Sequence, residues 1–172
     1  MKMLNLFTRV RTLALAGLFT LLFNSNVSAE KIIDVLGITL EVQVVNDISP
    51  NPELDRKFKL EWVDKETIYK ESEVISLHVP LTASTKNMIK EKELMLMRDD
   101  AILINTSRGG IINEVDLFNV MKSGHLSSAA IDVFENEPYS GCLNEIERCL
   151  LTAHMGSMSI DCRTRMEIEA SE

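Results

Sequence analysis

Between Ala101 and Asn113 the sequence reads AILINTSRGGIIN, and this stretch restricts the chain to few folds. Ala101 to Ile104 is a short apolar run rich in branched side chains, the composition of a strand buried on both faces. Such a strand belongs inside a parallel sheet covered by helices. The chain turns polar at Asn105, Thr106, Ser107 and Arg108 before Gly109 and Gly110. In open α/β sheets ligands bind beyond the carboxyl ends of the strands. Arg108 is therefore placed to meet an anionic ligand, with the two glycines allowing close backbone approach.

The remaining elements alternate in the same way. Lys31 to Leu36 reads as the tail of a helix stopped by Gly37, and Leu40 to Asn46 as a strand ending at Asp47 and a Pro-rich loop. Lys59 to Val63 reads as a strand, Asp64 as the cap of a helix over Lys65 to Glu71, and Val74 to Val79 as the next strand. A helix around Lys90 to Met97 precedes the Ala101 strand. Asn113 is a helix N-cap, Leu117, Val120 and Met121 give the helix one apolar face, and Gly124 stops it. Ala129 to Phe134 and Cys149 to Ala153 read as buried strands, and Met158 to Glu169 as a terminal helix. Strands and helices alternating at these lengths predict an α/β fold with a doubly wound parallel sheet.

With 172 residues, 45% of them hydrophobic, the chain buries one ordinary core, so one domain is expected. Its formal net charge is -8 and no basic cluster follows the N-terminus, which argues against nucleic acid or an anionic membrane surface as a partner. Residues 1–29 have a different character. Lys2, Arg9 and Arg11 precede the apolar run Leu13 to Phe23, which leads to Val27-Ser28-Ala29 before Glu30. That is the layout of a secretory signal peptide, and the apolar run is too short for a stable membrane anchor. A working signal implies export to a secretory or periplasmic compartment. The other reading is an unrelated start region joined to the rest, with the protein cytoplasmic. Cys142, Cys149 and Cys162 show no CxxC spacing and no histidine arranged beside them, so no metal site is expected. In an exported protein Cys142 and Cys149 form a candidate disulfide across the loop between two strands, but buried or idle thiols are expected.

Three separated stretches agree with one family in order and spacing. They are VISLHVPLT from Val74, MRDDAILINTSRGGIIN from Met97, and AAIDVFENEP from Ala129 joined to LTAHMGS from Leu151. Over Ile32 to Met166 the chain resembles the D-isomer-specific 2-hydroxyacid dehydrogenases. The resemblance implies a Rossmann-like sheet of strand order 3-2-1-4-5-6, and hydride transfer between NAD and a small D-2-hydroxy acid. It also implies a 2-hydroxy or 2-oxo acid as the small-molecule partner, and a homodimer. By motif, Arg108, Glu137 and His154 match the catalytic positions. Asp47, His78, Pro80, Thr106, Ser107, Asp132 and Gly156 match positions on the cofactor, with Asp132 near the nicotinamide. Glu73 stands where the family usually has Asp, and Glu137 favours hydroxy acids over formate, whose branch carries an amide there.

The residue types suit that chemistry. A histidine with a pKa near ~6.5 exchanges protons at neutral pH, and a carboxylate on its other ring nitrogen fixes the tautomer. An arginine presents a planar fork of donors to a carboxylate and to the carbonyl oxygen on which negative charge grows. Asp47, as a ribose acceptor, would repel a 2′-phosphate, favouring NAD over NADP.

One family feature is not found. Only Gly17 and Gly37 precede the second strand of the resemblance, so no GxGxxG turn can be drawn to cradle a pyrophosphate. Residues 30–172 are expected to form a partial dinucleotide-binding domain that lacks the first strand and the glycine-rich turn, and the family's substrate domain is not represented. In the implied order that strand separates Leu40 to Asn46 from Val74 to Val79, whose facing edges would border a gap, unless residues near Leu13 to Phe23 fill it. The competing class is a nucleotide-binding module or dehydrogenase remnant without turnover.

Overall fold

The computed structural model describes residues 44–47, 56, 60–156, 158 and 160–171. The signal-like segment, the helix tail before Gly37 and most of the strand expected from Leu40 lie outside them.

Strands β1 (Val44–Val45) and β2 (Glu61–Trp62) pair in parallel, extended by a bond from Val63 N to Val45 O at 3.1 Å and one from Asn46 Nδ2 to Val63 O at 2.7 Å. Helix α1 (Lys65–Glu71) follows, its first turn closed by the Asp64 carboxylate, which accepts from Thr67 N at 2.7 Å. That bond holds the Asp64 carboxyl below its ordinary pKa. Next come β3 (Val74–Leu77), α2 (Glu91–Leu96), β4 (Ile102–Asn105) and α3 (Glu114–Lys122), then β5 (Ser128–Ile131), β6 (Cys149–Leu151) and α4 (Ile160–Ser171). As the sequence predicts, Asn113 caps α3 by accepting from Asp116 N at 3.0 Å, and Gly124 ends it with φ +91°.

Strands β3 to β6 form one parallel sheet in the order β3-β4-β5-β6. This is the α/β arrangement expected from the alternation. The described strands form two sheets, and none of them joins β1 to β3. That separation falls at the place where the family order puts its first strand.

Helices α1, α2 and α3 pack side by side, α2 in the middle, over a core built from Ile68, Ile75, Leu77, Leu94, Leu103 and Leu117 among others. Beyond α3, the Arg148 guanidinium donates to the carbonyls of Met121, Leu126 and Ser127 at 2.8, 2.5 and 2.9 Å, tying the end of that helix to the entry of β5. The three cysteines are free thiols, and burial pushes the Cys149 thiol up to about 12. Among the described residues no helix is long and apolar enough to cross a membrane.

Register aligns the strand ends. Leu77 pairs with Asn105, Asn105 with Ile131, and Ile131 with Leu151. His78, Thr106, Asp132 and Thr152 are therefore the first residues past one common edge.

Candidate active site at the carboxyl ends of the strands

Each strand hands its chain to a loop at this edge, and short polar side chains fold those loops. After β3, Ser76 Oγ lies 2.8 Å from His78 Nε2, and burial lowers the His78 pKa below its ordinary value. Pro80 follows on the surface, its carbonyl held by Thr85 Oγ1 at 2.6 Å. After β4, the buried Asn105 accepts from Ser107 N at 3.1 Å and Ser107 Oγ at 2.8 Å, and donates to the Arg108 carbonyl at 3.0 Å. Thr106 and Arg108 are exposed at the tip, and Arg108 Nη1 donates to the Ser107 carbonyl at 2.6 Å.

The loop then turns back against the next strand. A Cβ on Gly109 would lie 1.9 Å from Phe134 O and 2.7 Å from Glu135 N, so only glycine fits. The close approach expected here is thus to the protein's own backbone. Gly110 has φ +74°, a region that favours glycine, and its carbonyl accepts from Asn87 N at 2.7 Å.

After β5 the chain carries Asp132 and then Glu137. Glu137 Oε1 accepts from Phe134 N at 3.0 Å, and Oε2 lies 3.0 Å from His154 Nδ1. The Phe134 amide, and after it the His154 ring, hold the Glu137 carboxyl below the usual carboxylate range. The loop is closed behind Glu137 by the rings of Phe134 and Tyr139, stacked with centroids 4.1 Å apart. Tyr139 Oη accepts from Leu143 N at 3.1 Å, and Glu114 on α3 accepts from Glu135 N at 2.8 Å.

After β6, His154 sits with φ +54°. Its amide donates to the Asp132 carbonyl at 2.8 Å. The Asp132 carboxylate, buried at 7% exposure, accepts from Thr152 Oγ1, Met155 N and Gly156 N at 2.5, 2.8 and 3.3 Å. The structure thus joins Glu137 and His154 directly, and brings the Arg108 loop against the same backbone through Gly109. Asp47 lies on the other sheet, just past β1.

The sequence reading did not single out Asn105 or Thr152. Asn105 had a readable signal, an Asn at a strand end two residues before a Ser, the spacing of an Asx turn. Thr152 had only its polarity at the end of an apolar run.

Residues 29–156 match the family model described as D-isomer specific 2-hydroxyacid dehydrogenase, NAD binding domain. The chain belongs to this family. A glyoxylate reductase of Thermococcus litoralis is 47% identical over 116 residues, which are 67% of this chain and 35% of that protein. A hydroxypyruvate reductase of Thermotoga maritima is 41% identical over 128 residues, 70% of this chain and 40% of its own length. Among solved structures, the holo form of Rhodotorula graminis D-mandelate dehydrogenase superposes with a TM-score of 0.73 at 31% identity, covering 81% of this chain and 41% of that one. The chain therefore spans well under half the length of these 2-hydroxyacid dehydrogenase relatives.

The polar strand ends described above present the donors and acceptors that the polar groups of a dinucleotide require. Asp47 follows β1, and the described residues contain no GxGxxG turn.

Proposed function

We propose that this chain forms the NAD-binding and proton-transfer part of an oxidoreductase acting between a small D-2-hydroxy acid and its 2-oxo acid. The observation that carries this reading is the pair His154 Nδ1 and Glu137 Oε2 at 3.0 Å, with Glu137 itself fixed by the Phe134 amide. With its pKa lowered, Glu137 is ionised at neutral pH and can only accept, so Nδ1 carries the proton and Nε2 is left for substrate. Protonated, His154 is the acid for an oxo group; neutral, it is the base for a hydroxyl. The Arg108 guanidinium offers its remaining donors to the substrate's carboxylate and developing alkoxide.

NAD, when bound, supplies the hydride acceptor or donor. Asp47, His78, Pro80, Thr106, Ser107, Asp132 and Gly156 are the residues proposed to line its cleft, and the carboxylate of Asp47 favours NAD over NADP. Loss of the His154 acid costs about 10²- to 10⁴-fold in rate. Glyoxylate and hydroxypyruvate, the acids in the relatives' names, are the first substrates to try.

The competing reading, a nucleotide-binding remnant without turnover, draws on the sequence, in which no GxGxxG turn can be drawn. Titration of the full chain with NADH, followed by nicotinamide fluorescence and then by NADH consumption with each acid, separates the two. Saturable binding with turnover that His154→Gln abolishes supports the dehydrogenase. Binding without turnover favours the remnant, and no binding by a folded chain refutes both.

A further inference from the structure

We propose that Glu114, the first residue of α3, is a positioning residue: its side chain reaches from the helix that follows the Arg108 loop to the turn that presents Glu137 to His154. The inference rests on the roles proposed above for Glu137 and His154. Glu114 Oε1 accepts from Glu135 N at 2.8 Å. That amide lies inside the turn closed by the bond from Phe134 N to Glu137 Oε1 at 3.0 Å. Glu114 thus holds the middle of the segment whose two ends fix the Glu137 carboxylate.

The backbone that carries Glu114 is itself fixed. Ile111 and Ile112 are buried, Ile89 N donates to Ile111 O at 3.1 Å, and Asn113 N donates to Ile89 O at 2.9 Å before Asn113 caps α3. The Glu137 turn has weaker attachments of its own. Glu135 lies on the surface, and its carboxylate meets Lys86 Nζ at 3.6 Å with both side chains more than half exposed, a kind of pair that contributes little. Phe134 O packs against Gly109, but that contact only limits how close the turn can come. The bond from the Glu135 amide to the Glu114 carboxylate is charge-assisted, roughly twice as strong as a neutral one, and it ties the turn to the helix. A glutamate in the first turn of a helix also interacts favourably with the helix dipole, so the variants must separate the two roles.

The test uses the full chain, with amide hydrogen exchange by NMR, the titration of the Glu137 carboxyl by NMR, and NADH consumption with glyoxylate. Glu114→Asp keeps the charge at the helix N-terminus but retracts the oxygens by one methylene. Glu114→Gln keeps the reach and an acceptor oxygen but loses the charge. The Glu135 amide is expected to exchange about tenfold faster in Glu114→Asp, the value of one hydrogen bond, and no more than about threefold faster in Glu114→Gln. The Glu137 titration moves up towards its ordinary range in Glu114→Asp, because the Phe134 amide that chiefly holds it down is no longer in place, and stays low in Glu114→Gln. Turnover falls about 10- to 10²-fold in Glu114→Asp and is largely restored in Glu114→Gln.

The opposite ranking, with Glu114→Asp silent and Glu114→Gln destabilised in urea, means that the residue serves only the helix dipole and overturns the proposal. Faster exchange at Glu135 with the Glu137 titration unmoved also overturns it, as does an active wild type whose turnover is unchanged in Glu114→Asp. If Glu114→Asp fails to fold, Glu114→Ala decides by sign. Loss of a neighbouring negative charge alone moves the Glu137 titration down, whereas a loosened turn moves it up. Failure of the wild-type chain to consume NADH refutes the proposed function, while exchange and titration still decide this inference.

Discussion

Gly109→Ala is the substitution that most directly tests how the site is assembled. The new Cβ would stand 1.9 Å from Phe134 O and 2.1 Å from its carbonyl carbon, both backbone atoms in the segment that leads to Glu137. No rotamer change relieves this. The two segments must part by about 1 Å before the contact reaches the closest approach that real Cβ atoms show. Overpacking of that kind costs about 1–3 kcal/mol, and the lower entropy of an unfolded chain with alanine returns about 0.4–1 kcal/mol. A net loss of about 1–2 kcal/mol is expected.

The comparison that isolates the contact is Gly124→Ala. That residue has φ +91° and open space around it, so alanine there meets backbone strain but no neighbour. Its cost is about 1 kcal/mol. Urea midpoints would therefore fall in both variants, but site function only in Gly109→Ala. Parting the segments moves the Arg108 loop away from the Glu137 and His154 pair, and a 1 Å misplacement of that kind costs about 10²-fold in turnover. A Gly109→Ala chain as stable as wild type would refute the close packing and the account of how Arg108 is placed.

Two further outcomes follow from local geometry. Because burial lowers the His78 pKa below 6.5, the unfolded chain binds a proton that the folded chain refuses, so stability is lost as pH falls from above 6.5 through the folded value. His78→Gln removes that dependence. The difference in urea-derived stability between wild type and variant should change between pH 7.5 and 5.5, by up to ~1.4 kcal/mol per pH unit, and no change would contradict the burial argument. Asn113→Ala deletes the acceptor for Asp116 N and should lower stability by about 0.5–2 kcal/mol without altering NADH affinity, read from the urea midpoint and the fluorescence titration.

How far the sequence could be read depended on whether a feature was local. Asn113, the apolar face of α3 and Gly124 are signals within one helix, and α3 runs between them as expected. Strand ends are set by partners. Ala129 to Phe134 reads as one apolar strand, yet β5 stops at Ile131, where Leu151 ends its neighbour and Asp132 turns to bonding the next loop. The same limit held at the site. Motif spacing marks Glu137 and His154, but the space beside Gly109 is filled by Phe134 and Glu135, and a missing side chain does not announce its neighbour.

The topology then separates what the proposed reaction needs from what cofactor affinity needs. The Arg108, Glu137 and His154 loops all leave β4, β5 and β6, which are continuous members of one hydrogen-bonded sheet. Their geometry is fixed by bonds within that sheet and its loops, from Asn105 and Asp132 outward. Asp47, the residue proposed for the adenosine ribose, leaves β1, whose described ladder is two residue pairs with β2. On the proposed function, the distance between the nicotinamide and ribose subsites is set across the boundary between β1 and β3. An altered boundary would weaken NADH binding while leaving the His154 and Glu137 pair intact. On the proposed function, then, the proton-transfer geometry is held within the β3 to β6 sheet, and dinucleotide affinity depends also on how β1 is joined to it.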